Sequence, residues 1–320
     1  MQRWHQFLAG LALAIAAAPG SAQPYPNKPI RLIVPNAPAG LADISARLVA
    51  AKLTEALGQQ VIVDNRVGAG STIGTAMAVK AAPDGYTLLA VFDSHATNPH
   101  LFKNLDYDTL ADLAPISLLV RGPLLLAVHP KLNVKTVQDL VQLAKAKPGA
   151  INFASVGPGS PARLLMELFK LQARIDVINV PYKGAGAAVN DLIAGQVDAM
   201  FATIPTLNPY VKAGRLHAIA ITSEQRSPAV PGVPTMSETY PGFRAESWVG
   251  LLAPARTPRE IIAYLNKEVV KILSHPELKA RFAELGYETV GSTPAQFDRW
   301  IRAETARWGK VIREQKITIE

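Results

Sequence analysis

The chain has 320 residues, 33 Lys and Arg against 25 Asp and Glu, a formal net charge of +8 and no cysteine. Without cysteine there is no disulfide framework and no lipoprotein anchor. The basic residues are scattered singly rather than in blocks, which argues against a nucleic-acid partner and for mild long-range attraction of small anions.

In chain order, MQRWHQ carries Arg3 and is followed by an apolar run, Phe7 to Ala18, too short to span a bilayer. Ser21 and Ala22 then supply small residues before Gln23. Residues 1–22 therefore read as a secretory signal peptide, and the lack of cysteine fits export to a periplasm. Strands are predicted at Ile30–Val34, Val61–Val63 and Tyr86–Val91, with helices at Leu41–Leu57 and Ile73–Ala82 between them. Gly58 stands where a left-handed helix cap belongs, and Pro83-Asp84-Gly85 stops the second helix. After Arg121-Gly122-Pro123 the pattern restarts with a strand in LLLAVHP and a helix at Thr136–Ala146. Further strands are predicted at Asn152–Ala154, Val177–Val180, Asp198–Ala202 and Leu216–Ile221. Residues 227–242 read as a long loop, SWVGLLAP as a strand, and Pro258–Leu273 and Pro294–Arg313 as helices, the last lying on an outer face.

Strands alternating with helices predict an α/β fold with largely parallel sheets and right-handed crossovers. Two lobes are expected: residues 23–123 with 246–320 form one, and residues 124–245 the other. Each is expected to be a mostly parallel sheet flanked by helices, with a ligand cleft between them beyond the carboxyl ends of the strands.

Two strand–turn–helix passages carry the functional argument. In RLIVPNAPAGLADISARLVAAKL the turn is Asn36-Ala37-Pro38-Ala39-Gly40, and Asp43 stands in the first helical turn. In INFASVGPGSPARLLMELFKLQA the turn runs from Ser155 through Gly157 and Gly159 to Ser160, with Arg163 in the first helical turn. A helix start presents unpaired N–H groups and the positive end of the peptide dipoles, which together suit an anion. Ser160 is placed to cap its helix or to donate to a carboxylate, and Asp43 to serve as a cap or dipole partner. Ser71, in the GAGSTIG segment, marks a third helix start facing the same cleft. Ser94 and His95 follow the third strand, while Tyr182 and Thr203 end strands of the second lobe. Trp248 is a candidate fluorescence reporter of lobe closure.

No metal-ligand spacing, nucleophile elbow or phosphate loop is present, so no cofactor and no metal are expected. The reading that follows is a monomeric receptor for a small anion rather than an enzyme. The alternatives are a ligand-sensing receptor with a membrane signalling partner, and an exported hydrolase using Ser94, His95 or Asp43.

The strings VPNAPAGLADISARLVA, NRVGAGSTIGTAMAVKAAPDGYTLL, PYKGAGAAVNDLIAGQVDAMF, PGVPTMSETYPGF and SWVGLLAPARTP recur in the order found in the Bug-type extracytoplasmic receptors. The chain resembles that family from Tyr25 to Glu320. The resemblance implies a two-lobed type II periplasmic binding protein of the Venus-flytrap kind. It also implies a small carboxylate ligand and delivery to the membrane permease of a tripartite tricarboxylate transporter. It assigns the carboxylate to the loops at Asn36–Asp43 and Ser155–Arg163. The chain departs from the family at Asn36–Leu41, where an aromatic followed by Pro-Gly-Gly is common, at Arg163, often a histidine, and at Thr203, where an acid is common.

Overall fold

The computed structural model describes residues 25–38, 40–156 and 160–318; the expected signal peptide, Ala39, Gly157 and Gly159 lie outside them. Strand β1 (Ile30–Val34) leads into helix α1 (Leu41–Leu57), and β2 (Val61–Asn65) into α2 (Thr72–Val79) through a single helical turn at Ala69–Ser71. Next come β3 (Thr87–Phe92), α3 (Ser94–Leu101) and the long β4 (Leu113–Val128). The middle of the chain forms α4 (Val137–Ala146), β5 (Asn152–Val156), α5 (Pro161–Ala173), β6 (Ile178–Tyr182), α6 (Ala185–Ala194), β7 (Ala199–Thr203), α7 (Ile204–Lys212) and β8 (His217–Ile221). It closes with β9 (Glu246–Pro254), α8 (Arg259–Leu273), α9 (Pro276–Glu284), β10 (Glu288–Thr289) and α10 (Pro294–Glu314).

Local chemistry accounts for the helix ends. Gly58 takes φ 65° and returns its N–H to Thr54, ending α1 where the sequence predicted. Thr136 and Asp139 cap each other's backbone at the start of α4, and Thr293 and Gln296 do so at α10.

The strands run in the order β2-β1-β3-β9-β4-β7-β5-β6, with β8 and β10 also paired to β4. The expectation of mostly parallel sheets is corrected to a mixed sheet. β1 pairs in parallel with β2 and β3, and β5 with β6 and β7. All ladders made by β4, and that between β3 and β9, are antiparallel. The antiparallel set arises because two strands carry the chain across the middle of the molecule in opposite directions. β4 pairs with β9 up to Pro123↔Glu246 and changes partner to β7 from Leu124↔Thr203.

The expected restart at Arg121-Gly122-Pro123 is also corrected, since β4 passes straight through it. Pro123 falls at the junction of two ladders, where a missing N–H interrupts neither. Gly122 is needed for close approach: a Cβ there would lie 2.6 Å from Tyr287 Cδ1 and 2.7 Å from the Gly286 carbonyl oxygen.

Four apolar clusters fill the faces. Leu32, Val49, Leu265 and Phe282 belong to one face of the first sheet half, and Ile33, Leu89, Trp248 and Phe297 to the other. Phe153, Phe169 and Phe201 anchor one face of the second half, and Leu125, Leu192 and Leu207 the other. Helix α10 spans both halves. Its Phe297 and Ile301 pack with Trp248, whereas Trp308, Val311 and Ile312 pack in the cluster of Phe153 and Phe169.

Candidate ligand-binding site

Because β1, β2 and β3 are parallel, their carboxyl ends bring Asn36, Asn65 and Asp93 to one edge. β5, β6 and β7 likewise bring Ser155, Tyr182 and Thr203 to one edge of the second half. A small crevice lies between the halves, and of these six residues only Asp93 lines it. Asp93 and Thr97 line it from one side and Pro161, Leu164 and Leu165 of α5 from the other, with Ala245, Glu246 and Trp308 completing the walls.

Within the first loop, Ala37, Pro38 and Gly40 are exposed. Gly40 precedes α1 and supplies no side-chain acceptor to the leading N–H groups of that helix. This leaves the positive helix end open to an external anion. Asn36 donates from Nδ2 to Ser71 Oγ at 3.1 Å. Asp43 is 2 % exposed and accepts from Arg47 Nε at 3.0 Å and Asn65 Nδ2 at 2.9 Å. Its charge is thus answered within the fold.

Ser71 belongs to a strained run. Ala69, Gly70 and Ser71 take φ of 43°, 62° and 83°, and left-handed backbone is costly for the two non-glycine residues. The run is pinned from two sides: Asn98 Nδ2 donates to the Gly70 carbonyl at 2.8 Å, and Asn36 holds Ser71.

Across the crevice, Ser160 Oγ accepts from the Arg163 N–H at 3.3 Å and so caps α5. Capping uses an oxygen lone pair and leaves the hydroxyl proton to donate elsewhere. The Ser155 hydroxyl is buried with no hydrogen-bond partner among the described residues. Arg163 reaches back to the buried Glu167 at 2.8 Å. That ion pair explains a cation in a first helical turn, where the dipole alone disfavours it. Tyr182 donates its hydroxyl to Asp191 at 2.7 Å; burial and that carboxylate push its pKa up to about 12. Thr203 is held by Thr206, 2.7 Å between hydroxyl oxygens. Both hydroxyls are therefore engaged within the second half.

Ser94 and His95 do not sit on a loop. They open α3 and are buried, and the His95 ring lies against the Thr109 backbone. Burial pushes His95 down to about 4, so the ring is neutral at pH 7.

Three site residues escaped the sequence reading: Asn65, Asp93 and Asn98. Asn65 ends β2 and Asp93 follows β3, as Asn36 lies just beyond β1, and their place at strand ends is the signal that could have pointed to them. Asp93 accepts from Ser247 Oγ at 2.6 Å and from the Trp248 N–H at 3.1 Å, tying the end of β3 to β9. Burial pushes its carboxyl up to about 7 against those two bonds, and Glu304 on α10 adds to the rise.

The fold, a mixed sheet flanked by helices, is that of the two-lobed periplasmic binding proteins. The chain matches the tripartite tricarboxylate transporter family receptor (TctC) over residues 45–317 and belongs to that family. Protein BugT of Bordetella pertussis is 41% identical over 307 residues, 95% of this chain and 94% of BugT. Among solved structures, R. palustris Rpa4515 with adipate superposes with a TM-score of 0.84 at 34% identity, covering 92% of this chain and 99% of that one. MatC from Rhodopseudomonas palustris with bound malate gives a TM-score of 0.79 at 32% identity, covering 90% and 100%. Among the described residues no helix is long and apolar enough to cross a membrane, and no cluster of His, Asp or Glu could hold a metal ion.

Proposed function

We propose that this chain is a periplasmic receptor that captures a small carboxylate between its lobes and delivers it to the permease of a tripartite transporter. The observations that support the reading are the start of α1, which has no side-chain cap, and a small crevice in which Asp93 and Thr97 face the first turn of α5. The adipate- and malate-bound relatives support a carboxylate as the guest.

Asn36, Ala37, Pro38, Ala39, Gly40 and Ser71 would contribute from one lobe. Ser155, Gly157, Gly159, Ser160 and Arg163 would contribute from the other. Asp43, Tyr182 and Thr203 would shape the site through their neighbours, and Ser94 and His95 would pack beneath it. The lobes would hinge where the chain crosses near Pro123 and Ala245. Affinity would come from backbone donors and dipoles in a closed, dry cleft, where a charge-assisted hydrogen bond contributes about 1.5–3 kcal/mol. No residue here is assigned to bond making or breaking.

Thermal melts of ligand-stripped protein against mono-, di- and tricarboxylates test the proposal. A cognate ligand at 100 times its dissociation constant stabilises the fold by about 2.7 kcal/mol. Flat melts across the panel count against carboxylate capture, and conversion of a ligand during incubation counts against a receptor.

A further inference from the structure

We propose that Asn65 is the positioning residue of the first ligand loop, locking the Asn36 turn to the start of α1. The inference rests on the receptor reading above and adds a residue that would not itself touch the ligand. Asn65 is the last residue of β2. Its Nδ2 donates to the Asn36 carbonyl at 3.0 Å and to Asp43 Oδ1 at 2.9 Å, and its Oδ1 accepts from Arg47 Nη2 at 2.9 Å.

A primary amide has two N–H donors and one carbonyl oxygen, and all three functions are used here. The partners also fix its orientation: a carbonyl and a carboxylate face the nitrogen, and a guanidinium faces the oxygen. Through this one side chain the backbone of the ligand loop, the first turn of α1 and the cation that answers Asp43 share a single geometry. The Asn36 side chain then carries the constraint to Ser71 at 3.1 Å.

No other residue of similar size meets these demands. Aspartate is isosteric but has no donor, and it would set a carboxylate against the Asn36 carbonyl and Asp43. Alanine removes all three bonds. Preorganisation matters because a donor array that must be ordered at the moment of binding loses affinity to that ordering.

A control separates positioning from general stability. Thr54 ties the same two elements at their far end: its Oγ1 accepts from the Val61 N–H at 3.0 Å and donates to the Ala50 carbonyl at 2.8 Å. Asn65→Asp, Asn65→Ala and Thr54→Val are compared in two measurements. The first is amide hydrogen exchange over residues 36–43 in ligand-free protein. The second is calorimetric titration with whichever carboxylate of the panel most raises the wild-type melting temperature. Both Asn65 variants are expected to speed exchange in that segment and to weaken binding about tenfold or more. Thr54→Val is expected to lower the melting temperature with affinity unchanged.

Wild-type affinity in the Asn65 variants, or an equal loss in Thr54→Val, overturns the proposal. If the wild type binds none of the panel, the receptor reading fails and exchange alone decides. Faster exchange confined to the Asn65 variants then upholds the lock, and unaltered exchange refutes it.

Discussion

Asn36 donates its side-chain amide to Ser71 at 3.1 Å, joining the turn after β1 to the strained turn before α2. Two segments separated by 35 positions are thereby made one surface. Each is awkward alone. The first precedes a helix with no side-chain cap, and the second places alanine and serine in left-handed backbone. Strain of this kind persists only where the surrounding structure holds it.

Substituting Ser160 with aspartate keeps the cap on α5, because a carboxylate also accepts from the Arg163 N–H. It adds negative charge where the anion is expected. Thermal unfolding should be close to wild type, while titration with the cognate carboxylate should show binding at least about tenfold weaker. Unchanged affinity would separate this helix start from the ligand.

Adding a methyl at Gly74 presses on the same surface from beneath. A Cβ there would lie 2.7 Å from the Arg66 carbonyl oxygen and 2.8 Å from Pro35 Cβ. Pro35 leads directly into Asn36, so α2 cannot retreat without shifting the loop. Gly74→Ala should cost about 1–3 kcal/mol in chemical denaturation and weaken the ligand as well. A variant as stable as wild type would mean that α2 is free to move.

Two buried groups near the crevice respond to pH with opposite sign. Asp93 is raised from 3.8 to about 7, so its share of stability is present below 3.8 and lost as pH rises through 7. His95 is lowered from 6.5 to about 4, so its share is present above 6.5 and lost as pH falls through 4. Between these values the two oppose each other. Relative to wild type, Asp93→Asn should therefore gain stability as pH rises from about 4 to 7, and His95→Gln should lose it over the same range. Denaturant midpoints at each pH provide the check, and parallel curves for all three proteins would contradict the assignment.

Trp248, expected from the sequence to report closure, is fully buried beside Phe297 in the core of the first sheet half. Trp308 instead lines the shared crevice, its indole N–H held by Glu304 at 2.9 Å. The ligand-induced change in intrinsic fluorescence should fall further in Trp308→Phe than in Trp248→Phe. The reverse order would place the moving surface elsewhere.

Much of the fold was legible because it rests on local chemistry. Gly58 ends α1, Thr136 starts α4, and the apolar runs mark β1, β5 and β9. Helix α3 was not legible: SHATNPHL contains Pro99 and polar residues that are buried, so no amphipathic stripe betrays it. The continuity of β4 was hidden by Gly122 and Pro123, whose roles depend on Tyr287 and on a change of ladder partner. The turns after β1 and β5 could be read as strand-to-helix turns from their composition. Their supports could not, because Asn65 meets Asn36 across 29 positions and Ser247 meets Asp93 across 154. Such pairings arise only when the sheet aligns distant strand ends, the parallel β1 and β2 for Asn36 and Asn65 and the antiparallel β3 and β9 for Asp93 and Ser247.

The most direct measurement is a crystal structure grown with the carboxylate that most raises the melting temperature. The account predicts carboxylate oxygens at about 2.7–3.2 Å from backbone N–H groups at the starts of both α1 and α5. Well-defined ligand density remote from either helix start would contradict it.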